Sequence, residues 1–326
     1  MRLLKLIAPA IAVAAILSSG PASALDKVTF RMNWYFGGLH SPFQLGLQRG
    51  YYKDEGIDLV LNEGRGSANT VQTVAAGSDD FGVADSSSVI LLASRGAEVK
   101  TIMTIQANSA FGVISLAESG IKTPKDLEGK RLAISAGDAL TQLFPAFEKA
   151  TGIDPSKIRM VQIDPAGKVV ALLEKRVDAI IGGLDDQYFL VKQKGADPVG
   201  MKFADHGANT VGMTVMTSEA MIKKNPDLVK RFVKATARSW QAAIKDPGAA
   251  IDALLKARPD LNRKSQLGQI KTDISFIASP ANKGKPFGYS APADWERTMK
   301  ILKEYRDLKT DKPASAFYTN EFMPKE

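Results

Sequence analysis

Residues suited to recognising a small molecule gather at a few places in this 326-residue chain, whereas residues suited to covalent chemistry are scarce. The stretch MNWYFGGLHSP (32–42) sets Trp34, Tyr35 and Phe36 beside two glycines, then offers His40 and a Ser-Pro pair. An aromatic ring left open beside glycine stacks a flat ligand, worth about 0.5–1.5 kcal/mol beyond its burial. Successive residues of an extended segment face alternate ways, so at least one of the three rings is expected in the core. Trp34 is the first choice for a ligand wall and Tyr35 the second. His40 reads either as a donor to ligand or as a contact within its own loop. In EGRGSANT (63–70), Arg65 is placed to reach an anionic group and Ser67 to cap a helix. Asp85, Ser86 and Ser87 follow one short apolar run, Gly183, Asp185 and Asp186 follow another, and Asp138, Ala139 and Thr141 open a helix. Each aspartate either caps the next helix or turns its carboxylate to an amino group or N–H heterocycle. For the 185–186 pair, one residue is expected to cap and the other to face the ligand.

Catalytic and cofactor signatures are missing. The chain has no cysteine, hence no disulfide, thiol nucleophile or thiolate metal site. Its two histidines, His40 and His206, stand far apart without an HExxH pattern. No GxSxG elbow occurs, and no GxxxxGK[ST]. The GxGxxN of 64–69 lacks the third glycine of a dinucleotide fingerprint. No metal and no cofactor are expected. The first residues, MRLLKLIAPAIAVAAILSSGPASA, carry Arg2 and Lys5 ahead of an apolar run and an Ala-Ser-Ala ending at Ala24, the pattern of a cleavable secretory signal. The remainder holds 41 Lys+Arg against 35 Asp+Glu with no dense basic run, which argues against a nucleic-acid partner. Beyond the leader no apolar stretch is long enough to span a membrane, so the processed chain is expected in the periplasm.

These residues need a scaffold, and the periodicity supplies one. KVTFRMN, IDLVLNE, DFGVAD and VKTIMTIQ read as strands. Between them stand a helix opening at Ser41 as N-cap with Pro42 at N1 and running through FQLGLQRGYYKDEG, then GSANTVQTVAAG and SSVILLASRG. Strands alternating with helices imply βαβ units and a mainly parallel sheet. The pattern repeats: Gly56 and Gly152 end equivalent helices 96 residues apart, and Asp80 and Asp178 precede equivalent strands 98 residues apart. Two similar α/β lobes follow, with lobe one over 25–107, lobe two over 108–206, and 207–326 returning to lobe one with helices. The chain is expected to cross near 106–110 and 205–212, forming a hinge. Ligands in open α/β sheets bind at the carboxyl ends of the strands, which is where the candidate residues stand.

The leader, MNWYFGGLHSPFQLGLQRGYYKDEGIDLVL, EGRGS, AAGSDDFGVAD, TPKDLEGKRLAIS and RVDAIIGG together resemble the substrate-binding proteins of ABC importers in the nitrate/sulfonate/taurine and thiamine-pyrimidine group. The resemblance implies a type II periplasmic binding protein fold, closure by a hinge around a small molecule, and docking on a permease driven by a cytoplasmic ATPase. It implies binding positions around Trp34 and His40, Ser67, 85–87, the helix start at Gly137 to Thr141, and 183–186. The NW…H loop is more similar to binders of thiamine-type pyrimidines, so a flat heteroaromatic or aromatic ligand is the first reading. A sulfonate, taurine or nitrate binder is the alternative, and a pyrimidine-synthesis enzyme is a further one. Fungal synthases of that group carry a cysteine-rich motif, which this chain lacks. Regulators of the same fold carry a DNA-binding helix-turn-helix where this chain has its leader.

Overall fold

The structure, a computed structural model, describes residues 24–136 and 138–324. The leader assigned to 1–24 therefore lies, but for Ala24, outside the described residues.

The first lobe is laid down as β1 (Asp26–Arg31), α1 (Ser41–Gln48), α2 (Tyr51–Asp54), β2 (Ile57–Asn62), α3 (Ser67–Ala75), β3 (Phe81–Asp85), α4 (Ser86–Ala93) and β4 (Val99–Thr104). The second follows as β5 (Phe111–Leu116), β6 (Arg131–Ile134), α5 (Ala139–Thr151), β7 (Arg159–Gln162), α6 (Lys168–Leu173), β8 (Ala179–Gly183), α7 (Gln187–Gln193) and β9 (Pro198–Lys202). The chain then returns through β10 (Met213–Ser218) to α8 (Glu219–Lys224), α9 (Pro226–Lys245), α10 (Pro247–Ala257), α11 (Arg263–Ser275) and α12 (Pro292–Tyr305).

Each lobe holds one five-stranded sheet, ordered β2-β1-β3-β10-β4 and β7-β6-β8-β5-β9. β10 runs antiparallel to both its neighbours, and so does β5. In each sheet four strands therefore point one way and the fifth, contributed by the chain on its way across, points the other. The central strands β3 and β8 are buried along nearly their whole length, and FGVAD and AIIGG read accordingly as almost unbroken small and apolar runs. The internal repeat has a physical basis. Asp80 accepts the Thr29 N–H of β1 at 2.8 Å, and Asp178 accepts the Arg131 N–H of β6 at 2.7 Å. In both copies a carboxylate before the third strand ties down the first. Gly56 and Gly152 end the two equivalent connections with φ of 71° and 68°, a conformation that costs other residues strain.

Phe30, Phe43, Phe81, Phe232 and Trp240 form the aromatic centre of the first lobe, with Phe81 stacked on Phe232 at 4.0 Å between ring centroids. The long helix α9 delivers two of these rings, which is why the C-terminal third belongs with the first sheet. The passages between sheets lie between Thr104 and Phe111 and between Lys202 and Met213. Arg297 on α12 donates to Ala107 O at 3.1 Å and Asn209 O at 3.0 Å, holding the two passages side by side. Among the described residues no helix is long and apolar enough to cross a membrane.

Three local expectations are corrected. Ser41 is not an N-cap: a 3₁₀ turn over Gly38–His40 precedes α1, and the Ser41 hydroxyl donates back to Gly38 O at 2.7 Å. The helix expected through FQLGLQRGYYKDEG is two, α1 and α2, parted at Arg49 and Gly50. Ser67 is the first helical residue after Gly66, and its hydroxyl accepts the Asp85 N–H at 3.0 Å instead of capping α3.

Candidate ligand-binding site

A cavity with about 640 Å³ of atom-free space, its mouth included, opens between the lobes at the C-terminal ends of the strands. Of the aromatic triplet, Trp34 and Tyr35 line it, their rings edge to face at 5.6 Å, and Phe36 packs on the core. The Phe36 N–H is anchored on Glu63 at 2.9 Å, which sets the direction of the loop.

His40 lines the cavity, yet both ring nitrogens are engaged. The Gly37 N–H donates to Nδ1 at 3.1 Å, so Nε2 carries the proton and donates to Asn33 Oδ1 at 3.0 Å. Burial takes its pKa down to about 3, so the ring is neutral. Of the two readings of His40, the contact within its own loop is the one the structure shows, and its partner Asn33 lines the cavity as well.

On the opposite wall Asp138 does two jobs. Oδ1 caps α5 by accepting the Thr141 N–H at 2.7 Å, and Oδ2 accepts from Lys168 Nζ at 2.9 Å. Lys168 also donates to Ile181 O at 2.7 Å, and both side chains are almost wholly buried. The single charge that Lys168 brings to the wall is therefore balanced. Ala139 and Gly183 line the cavity as small residues, whereas Thr141 stands outside its wall, giving its N–H to the cap and accepting the Ser135 N–H on its hydroxyl at 3.2 Å.

Asp185 and Asp186 both line the cavity, and neither side chain caps α7. Asp186 stands at the cap position but accepts from Gln269 Nε2 at 3.3 Å. Burial, and then the neighbouring Asp185, push its carboxyl up to about 7. Asp185 is 8% exposed, and burial raises it as well. Behind it stands Asp273 on α11, fully buried and raised well above the carboxylate range by burial and by the two aspartates.

The remaining candidates lie elsewhere. Arg65 is exposed and outside the cavity wall. Asp85 is fully buried beneath α4, which it caps through the Ser87 N–H at 2.9 Å; burial moves it up to about 7. Ser86 donates to Val211 O, and the Ser87 hydroxyl is buried without a partner among the described residues, so this trio serves the strand end and not the cavity wall. Among the described residues no unpaired cation lines the cavity.

Sequence reasoning missed Asn33, Phe111, Lys168, Gln187, Met213 and Gln269, all in the wall. One signal was present. On α11 the buried face is Gln266, Gln269, Ile270 and Asp273, a helical i, i+3, i+4, i+7 stripe that is mostly polar. A polar stripe in a buried position marks a helix facing a polar site.

Two α/β lobes joined by two passages, with a cavity at the facing strand ends, define the two-lobed periplasmic binding protein architecture. Among solved structures, the alkanesulfonate-binding protein SsuA from Xanthomonas axonopodis pv. citri superimposes with a TM-score of 0.69 at 15% identity, covering 90% of this chain and 98% of that one. The chain belongs to the NMT1/THI5-like family, whose model matches residues 39–250. It is similar to a 4-amino-5-hydroxymethyl-2-methylpyrimidine phosphate synthase from Legionella pneumophila, at 24% identity over 93% of this chain and 94% of that protein. It is also similar to the riboflavin-binding protein RibY of Chloroflexus aurantiacus, at 26% identity over 97% and 91%.

Proposed function

We propose that this chain is the solute receptor of an ABC import system and captures a flat nitrogen heterocycle bearing amino or ring N–H donors. The reading has the chain exported with residues 1–24 removed. Lobe one (25–107 and 207–326) and lobe two (108–206) close on the ligand and present it to a membrane permease with its ATPase. The observation that carries the ligand class is the charge of the wall. Asp185 and Asp186 open to the cavity, the one lining cation among the described residues, Lys168, is balanced by Asp138, and Arg65 stands outside. Carboxyls accept hydrogen bonds from amino and ring N–H groups and repel sulfonate or nitrate, while the Trp34 ring stacks on the flat face. The names of the two relatives, one a pyrimidine synthase and one a flavin binder, agree with a heteroaromatic ligand.

A catalytic role is the second reading, favoured by the synthase name of the Legionella relative. Against it stand the complete lack of cysteine and a cavity histidine already committed on both nitrogens. The test is a thermal-shift and calorimetric screen of stripped protein against aminopyrimidines, riboflavin, taurine and nitrate. A tight ligand raises the melting temperature because it binds only the folded chain. Stabilisation by taurine or nitrate, with heterocycles silent, overturns the ligand class, and turnover of a substrate overturns the receptor.

A further inference from the structure

The two lobes meet at a pair of acids that lacks a hydrogen. Asp185 comes from the turn after β8 in the second lobe, and Asp273 from α11 on the first. Asp273 Oδ1 accepts from Gln106 Nε2 at 2.9 Å, in the passage between lobes, while Oδ2 is buried with no donor among the described residues. Its carboxyl lies within hydrogen-bonding reach of that of Asp185. A buried acceptor without a donor is costly, and two apposed carboxylates repel. One proton held between them removes both costs, the arrangement of a carboxyl dyad.

We propose that a proton shared by Asp185 and Asp273 latches the cleft, so that closure takes up a proton and opening releases it. The groups facing the pair bring it no cation to use in the proton's place. Asp186, from the same turn, adds negative charge. Lys168 of α6 is tied to Asp138 of α5, and His40 of the 3₁₀ turn is neutral. Lys202 at the end of β9 lies over the Phe276 ring at 5.5 Å and pairs with Asp205. Arg263 on α11 pairs with Asp252 of α10, and Lys271 points to solvent. The contact is set to part as a unit. Gln269 bridges the Gly38 N–H of lobe one and Asp186 of lobe two, and Gly268 seats the Phe189 ring. Once parted, the two carboxyls no longer share a proton or repel each other, and each moves back toward the ordinary range near 4. The closed form then binds one proton more than the open form at neutral pH, so acidification favours closure.

The test is small-angle scattering of the purified, ligand-free protein at pH 5.5 and 8.5 with Asp186→Asn as the parent, because the Asp186 carboxyl, raised to about 7, titrates in the same window. The parent is expected compact at pH 5.5 and expanded at 8.5, with the closed-to-open ratio changing by up to about tenfold per pH unit for one proton. Adding Asp273→Asn supplies a permanent N–H donor and keeps the protein compact at both. Should that double variant fail to fold, Asp185→Asn on the same parent places the donor on the other partner and carries the same expectation. A parent radius indifferent to pH, or an added Asn that leaves the parent's pH dependence in place, overturns the latch. The measurement uses no ligand, so its result is separate from the identity of the solute and from the receptor reading.

Discussion

Asp85 and Lys168 illustrate how little of a side chain's work its type reveals. Asp85 ends a strand, as a ligand contact can, yet it is a buried helix cap whose second oxygen has no partner among the described residues. Its carboxyl is near 3.9 in the unfolded chain and about 7 in the fold, so between these values the fold keeps a proton that the unfolded chain loses. Its contribution is best below about pH 4, declines as pH rises, and is lost above 7. Asp85→Asn keeps an oxygen for the cap and removes the charge. The melting temperature of the variant relative to wild type should therefore rise steadily from pH 4 to pH 8 in paired thermal scans. His40, lowered to about 3, has the opposite slope, destabilising as pH falls below about 6.5, but it is common to both proteins and cancels. Lys168→Met strands the Asp138 carboxylate and should cost about 3–5 kcal/mol by denaturant titration. Adding Asp138→Asn, which still caps α5, should recover most of that loss.

Among elements, α11 departs furthest from what its sequence promises. Helices in this chain bury an apolar stripe against a sheet, as α9 does with Val229, Phe232, Val233 and Trp240. α11 instead buries amides and an acid, because it packs against the cavity loop on one side and α7 of the other lobe on the other. The Gly268 position shows how close that approach is, since a Cβ there would lie 2.4 Å from the Phe189 ring. Gly268→Ala improves helix propensity by about 1 kcal/mol while wedging the lobes apart. The expected result is a split: the melting temperature of ligand-free protein is not lowered, and ligand affinity by calorimetry falls about tenfold. The alternation of strands and helices was legible without coordinates, as was the repeat. The partition of 43–56 into two helices was missed although Gly50 marks it, ending α1 in the left-handed conformation at φ 73°, because the helical pattern continues on its far side.

For the whole molecule, two passages carry the chain between sheets among the described residues, and one guanidinium holds both. Arg297 reaches Ala107 O and Asn209 O while paired with Asp294 at 2.7 Å, and the Asn209 amide reaches Asn108 Oδ1 at 2.9 Å. Arg297→Ala removes two bonds to carbonyls, each worth about 1 kcal/mol. It should lower the melting temperature by several degrees, with amide exchange rising at 105–111 and 207–213 ahead of either sheet. Exchange rising evenly through both lobes would mean that Arg297 stabilises the fold without governing the hinge.

Composition, periodicity and the near-constant repeat were enough for two α/β lobes with recognition residues at their strand ends, because hydrophobic period and turn chemistry are local properties of a chain. Trp34, Tyr35, Ser67, Asp138, Ala139, Gly183, Asp185 and Asp186 came out of that pattern and do line one cavity. The roles within it were settled by contacts between residues far apart in the chain. Lys168 meets Asp138 across 30 positions, Gln269 meets Asp186 across 83, and Gln106 meets Asp273 across 167. Whether a charge is free or balanced, and whether a carboxyl is a cap, a ligand contact or half of a proton-sharing pair, depends on such partners and on burial, and neither is written in local spacing.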